Sequence, residues 1–167
     1  MLVVFLDIDG VLNHQRLYDS LRSRAGRTTP SDWIDADCVA RLDALCARTG
    51  ARLVISSSWR TYADIPGQPV GGLTGTVAVL RSRGLVADVI GATPDHATPE
   101  MRAQQERAPR WPEIRAWLEA HPAVRWVVLD DSEIPGTPED RFVRTDIAVG
   151  LTDEDCERAA LALGWTS

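Results

Sequence analysis

In Leu2-Val3-Val4-Phe5-Leu6-Asp7-Ile8-Asp9-Gly10, an unbroken apolar run gives way to two carboxylates and a glycine. A short run without polar alternation reads as a strand buried on both faces, the kind found in parallel sheets. The two carboxylates lie two residues apart, so both can project to one side as the chain leaves the sheet. Asp followed by Gly is also ordinary turn chemistry, so further evidence has to come from elsewhere in the chain.

Working outward, residues 52–55, 86–90 and 124–129, with a weaker 142–143, read as further buried strands. Helical spacing separates them. Cys38, Val39, Leu42, Leu45 and Cys46 follow the capping-type Asp35 and stop near Gly50. Residues 77–83 end near Gly84, residues 111–120 carry Pro112 in their first turn, and residues 153–163 follow a Thr152/Asp155 capping box. Alternating strand and helix predicts an α/β fold, with a mainly parallel central sheet and helices on both faces. Residues 13–33 and 59–76 resist both periods and read as loops at the carboxyl end of the sheet, where such folds bind ligands.

The 167 residues, 44% hydrophobic and 25% charged, suit one domain over 1–167. The apolar run at 2–6 is far below the roughly 20 residues of a membrane span, so no membrane association is expected. With 24 acidic against 18 basic residues the net charge is −6, which disfavours nonspecific wrapping of nucleic acid. All basic residues are Arg, and with no Lys there is no Schiff-base catalysis. Cys38, Cys46 and Cys156 form neither a disulfide framework nor a zinc motif, and a reducing cytoplasm fits them. His14, His96 and His121 lack metal-ligand spacing, and Trp111, Trp117 and Trp126 read as packing residues.

A second acidic tip strengthens the first. Trp126-Val127-Val128-Leu129 runs into Asp130-Asp131, so two strands deliver four carboxylates. Converging acids repel unless a cation sits between them, and hard oxygen ligands favour Mg²⁺. After the second strand, Ser56-Ser57-Ser58-Trp59-Arg60 offers hydroxyls and backbone N–H groups that can hold phosphate oxygens, or that cap a helix.

Taken in order, these stretches resemble the haloacid dehalogenase (HAD) superfamily of phosphohydrolases. Asp7-Ile8-Asp9-Gly10-Val11-Leu12 matches its D-x-D-G-x-[LV] nucleophile motif, Ser56 its second motif and Asp130-Asp131 its acidic fourth. For the basic third motif Arg110 is the choice, with Arg107 and Arg115 as near rivals. Arg110-x-x-Glu113-Ile114-x-x-Trp117-Leu118, Ser57-Ser58-Trp59-Arg60, Gly91-Ala92-Thr93-Pro94 and Gly150-Leu151-Thr152 are similar to the HAD phosphatase modules of multifunctional RNA-repair proteins. The resemblance implies a Rossmann-like HAD fold and an Mg²⁺-dependent phosphomonoesterase. Asp7 would be the nucleophile, forming an aspartyl-phosphate, and Asp9 the general acid and base. Asp7, Asp9, Asp130 and Asp131 would hold the metal, and Ser56, Ser57 and Arg110 the phosphate.

The stretch 13–33, where many relatives insert a cap, is too short for an independent core, so a minimal cap or none is expected. It carries Arg16, Arg22, Arg24 and Arg27. Arg60, Trp59 and Asn13 are expected as substrate contacts, Trp59 as a stacking surface. The subfamily resemblance points to a DNA or RNA 3′-phosphate as substrate, with no obligate protein partner. The alternatives are a phosphatase of small nucleotide or sugar phosphates, and a binding module that holds phosphate ends without turnover. A phosphoacceptor signalling domain would need a late Lys and a mid-chain acceptor Asp, and neither is evident.

Overall fold

The computed structural model describes residues 1–23, 26–61, 71–104 and 106–166. Five strands, β1 (Leu2–Leu6), β2 (Arg52–Ile55), β3 (Val89–Ala92), β4 (Arg125–Asp130) and β5 (Phe142–Arg144), form one sheet. Its order is β3-β2-β1-β4-β5 and every pairing is parallel. The helices are α1 (Gln15–Arg22), α2 (Ala36–Thr49), α3 (Gly72–Ser82), α4 (Pro99–Ala103), α5 (Arg110–Ala120) and α6 (Asp153–Ala162). This is the α/β architecture that the strand and helix patterns predict, in the Rossmann-like arrangement that the family resemblance implies.

Period-two alternation sorts the strands between two cores. Val4, Leu6, Leu53, Ile55, Val127 and Leu129 join side chains of α2, α3 and α6. Val3, Phe5, Val54 and Val128 face the other way, onto Ile114 and Trp117 of α5. Trp117 meets Phe5 edge to face at 5.3 Å. The sheet grows from β1 through β2 to β3, then returns to the far side of β1 with β4. Crossovers of one favoured hand put the connecting helices on opposite faces when growth reverses, as α3 and α5 are here. The switch point, between β1 and β4, is where an open sheet of this kind accepts a ligand.

Local chemistry sets the helix limits. The Asp35 carboxylate accepts from the Asp37 and Cys38 N–H groups, and Gly50 ends α2 in the left-handed region at φ 72°. Thr152 and Asp155 close a capping box on α6. His14, read as structural, caps α1 by accepting from the Leu17 N–H.

The loop expectations need correction. Within 13–33 lie α1 and a 3₁₀ turn at Pro30–Trp33; Leu21 is the one residue α1 buries, so it leaves no apolar period in the sequence. No separate cap is built there among the described residues. Within 59–76, a 3₁₀ turn spans Ser58–Thr61 and α3 begins at Gly72, while residues 62–70 lie outside the described residues. The third strand starts at Val89 rather than Val86, because the N–H groups of Val86 and Ala87 donate to the Asp43 carboxylate instead of a neighbouring strand. The short α4 was not anticipated; Thr98 caps it. No helix among the described residues is long and apolar enough to cross a membrane. Cys38, Cys46 and Cys156 are buried and unbridged.

Leu42 is fully buried between α2 and the sheet. Leu42→Ala is expected to cost about 2–5 kcal/mol of unfolding free energy, read by chemical denaturation.

Candidate active site

One rung of the sheet changes character across four strands. Leu6 is in register with Ile55 and Leu129, and Ile55 with Ala92. The residues one step on are Asp7, Ser56, Asp130 and Thr93, all polar and all buried. The ladder continues through them: Asp7 N–H donates to Leu129 O at 3.0 Å, Ser56 N–H to Leu6 O at 2.8 Å and Thr93 N–H to Ile55 O at 3.0 Å. Backbone pairing thus fixes these side chains before any side-chain contact does.

Beyond Asp7 the chain turns tightly, with Ile8 O accepting from the N–H groups of Val11, Leu12 and Asn13. Gly10 takes φ 74°, and a Cβ there would lie 2.4 Å from Asp131 Cγ. Only glycine lets the second acidic tip close against the first. Asn13 Oδ1 accepts from Gly10 N–H at 2.9 Å, while its Nδ2 donates to Asp9 Oδ1 at 2.8 Å. Trp59 Nε1 donates to both Asp9 oxygens at 3.2 Å. Two N–H donors therefore aim the Asp9 carboxylate. Asn13 and Trp59, expected as substrate contacts, are buried here with these donors turned onto Asp9.

The carboxylates of Asp7, Asp130 and Asp131 bring oxygens within 4.8 Å of one another. Burial pushes the Asp7 carboxyl up to about 6, opposed by Arg110 and by a hydrogen bond from Ser57, and reinforced by Asp9. Asp130 is pushed up to about 7, first by burial and then by the charge of Asp7. A clustered, all-oxygen donor set whose own charges are mutually destabilising fits a hard divalent cation such as Mg²⁺. His14, Asp35 and Cys38 also cluster, but both His14 ring nitrogens already serve the Leu17 N–H and the Asp35 carboxylate, so that group is helix capping.

Asp7, Asp9, Asp130 and Asp131 line a pocket of about 320 Å³ together with Arg107, Arg110, Ser132 and Glu133. Of the three arginines considered for the third motif, Arg107 and Arg110 reach it. Arg115 pairs with Glu119 at 3.1 Å on the exposed face of α5. Ser56 Oγ is buried with no hydrogen-bond partner among the described residues. Arg16, Arg22 and Arg27 do not line this pocket, and Arg24 lies outside the described residues.

Arg60, expected to touch substrate, is turned inward. Its Nε donates to Thr93 O at 2.9 Å, its Nη1 to Ser57 O at 2.6 Å and its Nη2 to Pro94 O at 3.1 Å. Its Nη2 also meets Glu113 Oε2 at 2.6 Å, with the two side chains 4% and 3% exposed. Glu113 in turn accepts from the His96 N–H at 3.1 Å and lies 3.4 Å from Arg110 Nη1. This Arg–Glu–Arg chain, buried at Arg60 and Glu113, welds the loops after β2 and β3 to the first turn of α5. Sequence reasoning gave Glu113 no site role; the available signal was its place one helical turn after Arg110.

Fold and site together define a doubly wound α/β domain with an acidic pocket at its switch point. The chain belongs to the HAD superfamily: the family described as the HAD domain in Swiss Army Knife RNA repair proteins matches residues 3–156. Comparison with curated proteins and with solved structures found no match.

Two outcomes are expected. Because Asp7 and Asp130 have folded pKa values above their unfolded ones near 4, the metal-free protein loses stability as pH rises from about 4 through about 7. At pH 8, Mg²⁺ should raise Tm in a thermal melt, while Asp130→Asn raises the metal-free Tm and abolishes the Mg²⁺ response. Arg60→Ala strands the buried Glu113 charge and should cost about 3–5 kcal/mol in denaturant titration, where loss of a surface contact would leave the midpoint nearly unchanged.

Proposed function

We propose that residues 1–167 act as one phosphomonoesterase domain that removes the 3′-phosphate from a DNA or RNA end in nucleic-acid repair. The observation that carries this reading is the shared rung that brings Asp7 and Asp130 side by side, with Arg110 lining the same pocket. Membership in a family of RNA-repair HAD domains supports a phosphorylated nucleic acid as substrate.

In this reading an Asp7 oxygen attacks phosphorus in line, and the bond from phosphorus to the 3′-oxygen breaks as an aspartyl-phosphate forms. Asp9, aimed by Asn13 and Trp59, gives its proton to the departing oxygen. It then takes one from the water that attacks the aspartyl-phosphate, which releases phosphate and restores Asp7. Asp7, Asp130, Asp131 and the Asp9 backbone carbonyl would hold Mg²⁺, which when bound neutralises the anionic nucleophile and phosphate. Arg110 and the unpartnered Ser56 hydroxyl would bind the nonbridging oxygens, and Ser57 steadies the Asp7 carboxylate.

The test is Mg²⁺-dependent phosphate release from matched DNA and RNA oligonucleotides with a 3′- or a 5′-phosphate, beside a panel of small phosphate esters. A 3′-end preference is expected, with Asp7→Asn lowering kcat by roughly 10³-fold or more. Turnover of small esters alone would overturn the nucleic-acid assignment and favour a metabolite phosphatase. Absence of turnover on every substrate would favour a module that only binds phosphate ends.

A further inference from the structure

A second cavity, of about 70 Å³, adjoins the nucleophile pocket, and Arg107, Ala108 and Arg110 line both. The shared wall is therefore largely guanidinium. Ser58, Arg60, Thr61 and Glu113 line the cavity from the loop after β2 and from α5. Ser58 is only 9% exposed, and its Oγ is buried without a hydrogen-bond partner among the described residues. A buried hydroxyl without a partner costs free energy, which a χ1 turn that brings it to a ligand oxygen in the cavity would recover.

Charge bookkeeping around the cavity leaves a cationic remainder. Arg60 is neutralised by Glu113, and Arg102 by Asp95. Arg107 has no carboxylate partner among the described residues, and Arg110 reaches Glu113 only at 3.4 Å. Glu106, the remaining acid of the lining, is solvent-exposed, as is Arg107, so the four arginines and three acids of the lining leave one positive charge in excess. The volume has room for a few waters or one phosphate group and is too small for a nucleobase. Unpaired guanidinium beside a hydroxyl donor is the chemistry that recognises phosphate oxygens.

We propose that this cavity is a second phosphate subsite, one that holds the 5′-phosphate of the nucleotide whose 3′-phosphate lies at Asp7. The proposal rests on the phosphatase reading above and deepens it: the smallest fully recognised ligand is a nucleoside 3′,5′-bisphosphate, or the last nucleotide of a strand with its 5′-phosphodiester. Arg107 and Arg110 then stand between the two phosphates and serve both.

The experiment compares a nucleoside 3′-monophosphate, the corresponding 3′,5′-bisphosphate and a dinucleotide 3′-phosphate. Expected is a kcat/KM at least tenfold higher for the bisphosphate than for the monophosphate, carried by KM, with Ser58→Ala and Arg107→Ala each collapsing the ratio at least fivefold. A dinucleotide that gains as much assigns the subsite to a strand's diester; gain with the bisphosphate alone assigns it to a free 5′-phosphate. A wild-type ratio near one, or a ratio that neither variant moves, overturns the subsite and leaves the phosphatase reading standing. Equilibrium binding of the same ligands to Asp7→Asn reads the subsite without turnover. There, tighter binding of the bisphosphate that Ser58→Ala weakens supports the proposal even if no substrate is hydrolysed, and equal binding of all three overturns it.

Discussion

Asp7 and Asp130 sit shoulder to shoulder on neighbouring parallel strands, and their repulsion in a buried setting organises what surrounds them. Neither residue can shift its backbone away, because ladder bonds continue through the rung they occupy. Relief has to come from groups brought to them. Arg110 at the start of α5 supplies one cation, the Ser57 hydroxyl supplies a donor, and Asp131, held close by Gly10, completes an oxygen cluster suited to a further cation. The reversal of strand order opens the sheet at this point, so the strain faces a pocket rather than packed side chains.

Around that centre, polar residues divide into those facing the pocket and those facing its back. Asn13 and Trp59 spend their donors on Asp9, and Arg60 spends four contacts on three loop carbonyls and Glu113. These residues brace the loops around the pocket, and Arg60 also lines the smaller adjoining cavity. In the proposed phosphatase, electrostatic stabilisation needs donors already in place when charge moves, and a buried support layer would supply that.

The sheet and its acidic edge were legible in the sequence because both faces of β1 and β4 are covered, which leaves uninterrupted apolar runs ending in Asp. Helices α2 and α6 announced themselves through caps and apolar spacing. Helix α1 did not, since it buries one residue, and the start of β3 was displaced by Asp43, a residue far away in sequence. The inward turn of Asn13, Trp59 and Arg60 was illegible for a different reason. An Arg, Trp or Asn beside a site has the same composition whether it meets the ligand or supports the residue that does. Arg60 is decided by three carbonyls that fold together only in space.

The Arg60–Glu113 pair also bears on how such a chain can change through descent. Loss of either partner alone leaves a buried charge with weaker company, Glu113 with Arg110 at 3.4 Å and the His96 N–H, Arg60 with three carbonyls, so a single replacement at either position is expected to cost more than a matched pair of replacements. The two positions, 53 residues apart in sequence, are thereby coupled, and the residue tolerated at one depends on the residue at the other.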